Sequence, residues 1–232
     1  MPLRHILAVL LVALPCAAWA QADNGPSRPS FLQAMGLLDV QNVDIARDGA
    51  PFASLSLPQG EGVRAVARDL GDAAGEVIAA WDFVTEDGRF IESITLTTAM
   101  LERGEPETRR FALANMLVLR SFPQLLNQFP EARLLAFGPM PNVNELDMVQ
   151  MIGTFETPED RRAIVFRHIG VLRSDSDEVL IAIVNVDTTR LPIRATEDLN
   201  DTFAGVALNT LKLADAPPDA SAAEDAPAAP AE

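Results

Sequence analysis

His168 is the residue best suited to proton transfer. It follows Arg167 inside an apolar run, with Ile164-Val165-Phe166 before the pair and Ile169 after it. An imidazole in such a setting can be tuned toward neutrality and act as a base. The same placement equally suits a histidine that packs at a sheet face beside a hydrogen-bonded partner, and no nucleophile is identifiable for it to activate. Carboxylates gather in two places. Asp175-Ser176-Asp177-Glu178 opens like a calcium loop, which makes Asp175 and Asp177 candidate metal ligands. Val179 then occupies the third ligand position and no glycine follows, so the spacing departs from that motif. Asp and Ser also build turns through local side-chain to backbone bonds, and a hairpin tip is the plainer role. Asn142, Asn144, Glu145 and Asp147 form a second oxygen-rich stretch, again off the calcium spacing. Asp82 could serve as one of the two carboxylates of a glycoside hydrolase. Sugar sites favour aromatic platforms, however, and the chain has two Trp (Trp19 and Trp81) and no Tyr.

Other chemistries lack their residues. There is no G-x-S-x-G, no phosphate-binding P-loop, no G-x-G-x-x-G and no H-E-x-x-H. No cofactor is implied, and ordinary zinc sites need several His or Cys ligands. The single cysteine, Cys16, and one of the two histidines, His5, lie in the first 20 residues. Those residues have the three parts of a secretory signal: Arg4-His5, the apolar run Ile6 to Leu14, and Ala18-Trp19-Ala20. The expected cleavage follows Ala20. The apolar run is shorter than the roughly 20 residues a membrane span requires, which argues against a retained anchor. Pro15 before Cys16 fits a lipoprotein signal poorly. Cleavage leaves a thiol-free chain with no transmembrane segment and with 17 basic against 33 acidic residues. A net charge of that sign argues against nucleic acid or anionic lipid as the partner. The expected location is the periplasm.

The elements that must position these residues follow from periodicity. Residues 21–30 are dense in turn formers and read as a flexible leader; residues 214–232 are acidic, Ala/Pro-rich and without large apolar side chains, and read as disordered. Between them, residues 31–213 have the length of one α+β domain. Phe52 to Leu57 alternates as a strand, and Val63 to Ala67 suggests another. Val77 to Phe83 and Phe90 to Thr98 form a hairpin around Gly88, with Trp81 on its apolar face. Phe111, Ala114, Val118, Phe122, Leu125 and Phe129 share one helical stripe. Pro106 opens that helix, and Pro123 predicts a kink near Arg120, with Ser121 and Gln124 spaced as a capping box for a second segment to Gln128. Leu134–Phe137, Leu146–Phe155, Ala163–Leu172 and Val179–Val186 predict an antiparallel meander, the last buried on both faces. Asn185 and Asp187 close that strand, to cap the sheet edge or line a cleft. A closing helix runs from Thr196 toward Leu213. The order is strands, helix, strands, helix, which predicts an antiparallel β-sheet flanked by helices.

This arrangement resembles the PsbP-like superfamily, which includes the Ran-binding Mog proteins and the DcrB/LpqN bacterial envelope proteins. The similarity rests on an exposed Thr-rich strand in the hairpin (Ile94-Thr95-Leu96-Thr97-Thr98), the long helix, the meander, and the ending from Phe203 through Leu208-Asn209-Thr210-Leu211. It implies an α/β/α sandwich around an antiparallel sheet and members that mostly bind or assemble. It implies no common reaction and no site residues.

Three readings follow. The first is a non-catalytic exported protein that binds or assembles with another envelope protein. The second is a small-molecule or lipid-binding protein with a pocket between helix and sheet. The third is a hydrolase using His168 or carboxylates. The lack of a catalytic constellation favours the first.

Overall fold

Strands form where apolar and polar residues alternate, because successive side chains leave a strand on opposite faces. The computed structural model describes residues 39–47, 49–60, 62–71, 77–140, 146–173 and 176–214. Ten strands occur among them: β1 (Asp39–Arg47), β2 (Ala50–Gln59), β3 (Val63–Ala67), β4 (Val77–Thr85), β5 (Phe90–Met100), β6 (Arg133–Pro139), β7 (Asp147–Glu156), β8 (Ala163–Leu172), β9 (Glu178–Asp187) and β10 (Lys212–Leu213). The helices are α1 (Pro106–Met116), α2 (Phe122–Gln128) and α3 (Phe203–Asn209). The expected signal, the leader, nearly all of the acidic tail, and Asn142, Asn144, Glu145 and Asp175 lie outside the described residues.

Seven strands make one antiparallel sheet in the order β3-β4-β5-β9-β8-β7-β6. The order explains the layers. The chain leaves β5 in mid-sheet, crosses through α1 and α2 to the far edge at β6, and returns as a meander until β9 pairs with β5. The helix must therefore pass over β8 and β7. Leu113 and Leu117 pack there against Val149, Met151, Phe155 and Phe166. Gly170 on β8 is a requirement of that contact, since a Cβ would stand 2.8 Å from the Leu113 side chain. The opposite face is covered by a small sheet, β1-β2-β10, and by α3. Phe52, Leu55 and Leu57 of β2 and Phe203 of α3 pack there with Trp81, Phe83, Ile94 and Val184. The architecture is thus an antiparallel sheet with helices on both faces. The small sheet is an added layer that the poorly patterned residues before Phe52 did not disclose.

Three local features differ from expectation. The long helix does not break at Pro123. Instead Leu117–Ser121 widens into a π-turn, with the Phe122 N–H bonding the Leu117 carbonyl. A widened turn accommodates a proline that can offer no N–H and crowds the turn before it. Ser121 makes no capping bond. The closing helix is likewise divided. Thr196–Asn200 is a single 3-10 turn, tied by Asp198 Oδ2, which accepts from the Arg194 and Ala195 N–H groups at 2.7 and 3.0 Å. Thr202 then caps α3 by accepting from the Gly205 N–H at 3.1 Å, and the chain leaves α3 to form β10. Finally, β5 is an interior strand, so its Thr95, Thr97 and Thr98 are half-buried rather than exposed.

Candidate functional site

The alternation of β8 sends its two central polar residues to opposite faces. Arg167 points to the small-sheet side, with Val165 and Ile169; His168 points to the helix side, with Phe166. His168 is 5% exposed. Its ring lies 5.3 Å from that of Phe166, between the register partners Met151 and Ile183. Burial drives its pKa down to about 4, so the imidazole is neutral at ordinary pH. Its Nδ1 has no hydrogen-bond partner among the described residues. It lines neither the cleft nor the small cavity described below. The arrangement is that of a packed histidine that has given up its charge.

Arg167 keeps its charge by collecting acceptors. Its Nε donates to Gln150 Oε1 and one terminal nitrogen to Asn200 Oδ1, both at 2.9 Å; the other approaches the Met140 sulfur at 3.8 Å. Across the same layer lies Glu92, which is fully buried. One carboxylate oxygen accepts from the Ala204 N–H in the first turn of α3 at 3.0 Å; the other accepts no hydrogen bond among the described residues. Burial pushes the Glu92 carboxyl up to about 7, against the pull of the Thr202 hydroxyl, the Ala204 and Phe203 N–H groups and the Arg167 charge. A cavity of about 10 Å³ adjoins Arg167 and Asn200, space for about one water-sized sphere. These groups tie α3 and the 3-10 turn to the sheet. Sequence reasoning missed Glu92, yet the signal was present: positions 92, 94 and 96 share the face that carries Ile94 and Leu96.

The acidic hairpin tip is held by a cation of the chain itself. Arg109 of α1 is buried and donates to the Arg173 carbonyl at 2.7 Å and the Ser176 carbonyl at 2.5 Å. Asp177 sits half-buried in that turn and its carbonyl accepts from the Leu101 N–H at 2.6 Å. No group of three or more His, Cys, Asp or Glu residues suited to a metal occurs among the described residues. Asp147, from the second oxygen-rich stretch, forms a two-point ion pair with Arg110, both bonds 2.8 Å. Asp82 pairs with Arg68. Asp187 accepts from the Thr189 N–H and hydroxyl at 2.9 and 2.6 Å and so fixes the turn after β9.

Large apolar side chains are exposed on the long helix and on β6. Arg110, early in α1, reaches Asp147 at the start of β7, and β7 pairs there with the end of β6. Phe129, just past α2, stacks on Phe155 near the end of β7, level with the start of β6. The helix therefore runs along β6 in the opposite direction. Phe111 and Leu119 on the helical segment are each 69% exposed; Leu135 and Phe137 on β6 are 61% and 63% exposed. The outer edge of β6 pairs with no strand in this sheet. The exposed Arg120 follows Leu119 on the helical segment. Beyond the start of β6 is a half-open cleft of about 770 Å³ between Phe129–Arg133 and the β7–β8 turn.

No family model and no curated protein matches the chain. Solved structures do match it. LpqN of Mycobacterium tuberculosis, described as involved in cell envelope biogenesis, is 13% identical over 82% of this chain and 100% of its own, with a TM-score of 0.44. The Saccharomyces cerevisiae Ran-binding protein Mog1p is 11% identical over 75% of this chain and 95% of its own, with a TM-score of 0.43. A Bacteroides thetaiotaomicron protein is 9% identical over 77% of this chain, which spans half the length of that protein, with a TM-score of 0.41. Similarity of this extent carries no residue role or activity across. LpqN and Mog1p are proteins of the two kinds named by the sequence resemblance.

Proposed function

We propose that this chain is an exported, non-catalytic binding or assembly protein of the cell envelope, and that it holds an extended segment of a protein partner along the helix side of β6. The observation that carries this reading is the exposure of Leu135 and Phe137 on an edge strand, with Phe111 and Leu119 exposed on the long helix above the same sheet face. Each of these side chains costs free energy in water that burial against a partner would recover, about 1.5–3 kcal/mol for full burial. An open strand edge offers main-chain hydrogen bonds in addition. The charge of Arg120 complements an apolar segment with an acidic flank, although the chain as a whole is strongly acidic. Export is supported by the pattern of Arg4-His5, Ile6 to Leu14 and Ala18 to Ala20. No helix among the described residues is long and apolar enough to cross a membrane.

The test is site-specific photocross-linking in the living cells that make the protein. A photoreactive amino acid is placed at Phe111, Leu135 or Phe137, and at Val40 on β1 as an exposed control. The reading requires one and the same envelope protein to be captured from all three sites and not from Val40. Capture that is equal at Val40, or absent from the three sites, refutes it.

A further inference from the structure

The half-open cleft at the start of β6 is a separate feature, and its walls have an uneven balance of charge. Its floor is aromatic. The Phe129 and Phe155 rings stack with centroids 4.0 Å apart, and Phe155 leads on to Phe166 and Phe122 at 6.2 and 6.3 Å. The floor is thus anchored to the core under the helix. The near wall is the tight turn after α2, closed by the Ala132 N–H donating to the Phe129 carbonyl at 2.9 Å. Glu131 lies in that turn and Arg133 opens β6. Both line the cleft, both are exposed, and neither has an ion pair among the described residues. The far wall is different. Arg161 and Glu156 pair there at 2.7 Å and cancel each other. Arg161 holds a left-handed backbone with φ 56°, a conformation that Gly or Asn would adopt at lower cost.

We propose that this cleft binds the zwitterionic head of a free α-amino acid with a large apolar side chain. The side chain lies on the Phe129–Phe155 floor, the carboxylate meets Arg133, and the ammonium meets Glu131. The space is within the range of small-molecule sites, roughly 300–1,000 Å³. One guanidinium and one carboxylate lining the same cleft, each without an ion pair among the described residues, match a ligand carrying one of each charge. A simple anion would meet Glu131 and a simple cation would meet Arg133. This site does not depend on partner docking along β6, and variants at Phe111 or Phe137 leave it unchanged.

The experiment is an NMR titration of the full chain, labelled with nitrogen-15, with L-phenylalanine, N-acetyl-L-phenylalanine, L-phenylalaninamide and glycine. L-Phenylalanine is expected to shift the amides of Phe129, Glu131, Arg133 and the 157–162 turn with saturation. The two blocked forms bind roughly tenfold more weakly, as loss of one charge-assisted hydrogen bond predicts, and glycine does not saturate. Arg133→Gln removes the preference for the free acid over the amide, and Glu131→Gln removes the preference for the free amine over the acetyl form. Both residues are exposed, so neither change threatens folding. Arg161→Gly relieves the left-handed strain but releases Glu156 as a second negative charge; it leaves the melting temperature unchanged or higher and alters the ammonium to carboxylate preference. N-acetyl-L-phenylalanine binding as well as L-phenylalanine overturns the proposal, as does the absence of saturable shifts at the cleft.

Discussion

Arg167 and His168 are neighbours in sequence and occupy opposite faces of one sheet, and each meets the cost of burial differently. On the small-sheet face, Arg167 remains charged because Gln150 and Asn200 give it acceptors and Glu92 shares the layer. On the helix face, His168 stands among Phe166, Met151 and Ile183 and stays neutral. A guanidinium can hardly lose its proton, so its surroundings must supply partners; an imidazole can, so its surroundings need not. The comparison separates a polar tie, which anchors α3, from an apolar layer, which anchors the long helix.

The tie breaks most severely if its cation is removed. Arg167→Met removes the donor to Gln150 and Asn200 and the attraction of its charge for Glu92, and about 1–3 kcal/mol of stability is lost. The loss, measured by urea unfolding, is larger at pH 8 than at pH 5, because Glu92 is protonated at the lower pH. Retention of full stability at pH 8 would mean that the tie contributes nothing.

The next effect sharpens the contrast through pH. Folded Glu92 holds its proton up to about 7, against 4.5 as its ordinary value. Its contribution is complete below 4.5 and is lost as pH rises through 7. His168 has the opposite sign: its folded pKa is about 4 against 6.5, so its contribution is complete above 6.5 and is lost as pH falls through 4. Each difference is worth about 3 kcal/mol. Between 4.5 and 6.5 the two slopes oppose and largely cancel. Glu92→Gln therefore exposes a stability that falls as pH drops from 6.5 to 4, and His168→Met exposes one that rises as pH drops from 7 to 4.5. Unfolding free energies of the two variants across pH 4–8 check this; parallel curves would contradict it.

A smaller effect probes the apolar layer alone. Gly170→Ala presses a methyl group on Leu113. Leu113 has no exposed surface into which it could shift, so the expected cost is about 1–3 kcal/mol. His168, two residues away on the same face, is neutral at both pH values, so the loss should be equal at pH 5 and pH 8, in contrast to Arg167→Met.

The two faces were not equally legible in the sequence. The helical stripe from Phe111 to Phe129, the strand limits of β3 and β8, the central place of β9 and the burial of Trp81 all follow from periodicity. The stripe misled at Phe111: the spacing puts it with Leu125 and Phe129, but the helix buries Arg109, Leu113 and Leu117, and the π-turn breaks the register of the stripe between its two ends. The α3 region was harder, because its start is set by the Thr202 cap, the turn before it by Asp198, and its tie to the sheet by the distant Glu92. Glu92 lies 112 positions from Ala204, to which it is bonded, and no local pattern announces such a contact. The cleft was not legible at all, since Glu131 and Arg133 meet Glu156 and Arg161 only once β6 pairs with β7.

The smallest expected change in stability accompanies the most direct test of function. Phe111→Ser with Phe137→Ser alters two exposed side chains, so unfolding should change by no more than about 0.5 kcal/mol for each. The measurement is the native size of the protein in gently solubilised envelopes, wild type against this double variant. The account predicts that the wild type migrates in a larger complex while the equally stable variant migrates alone. A variant that stays in a complex of the same size would contradict the assignment of this surface to a partner.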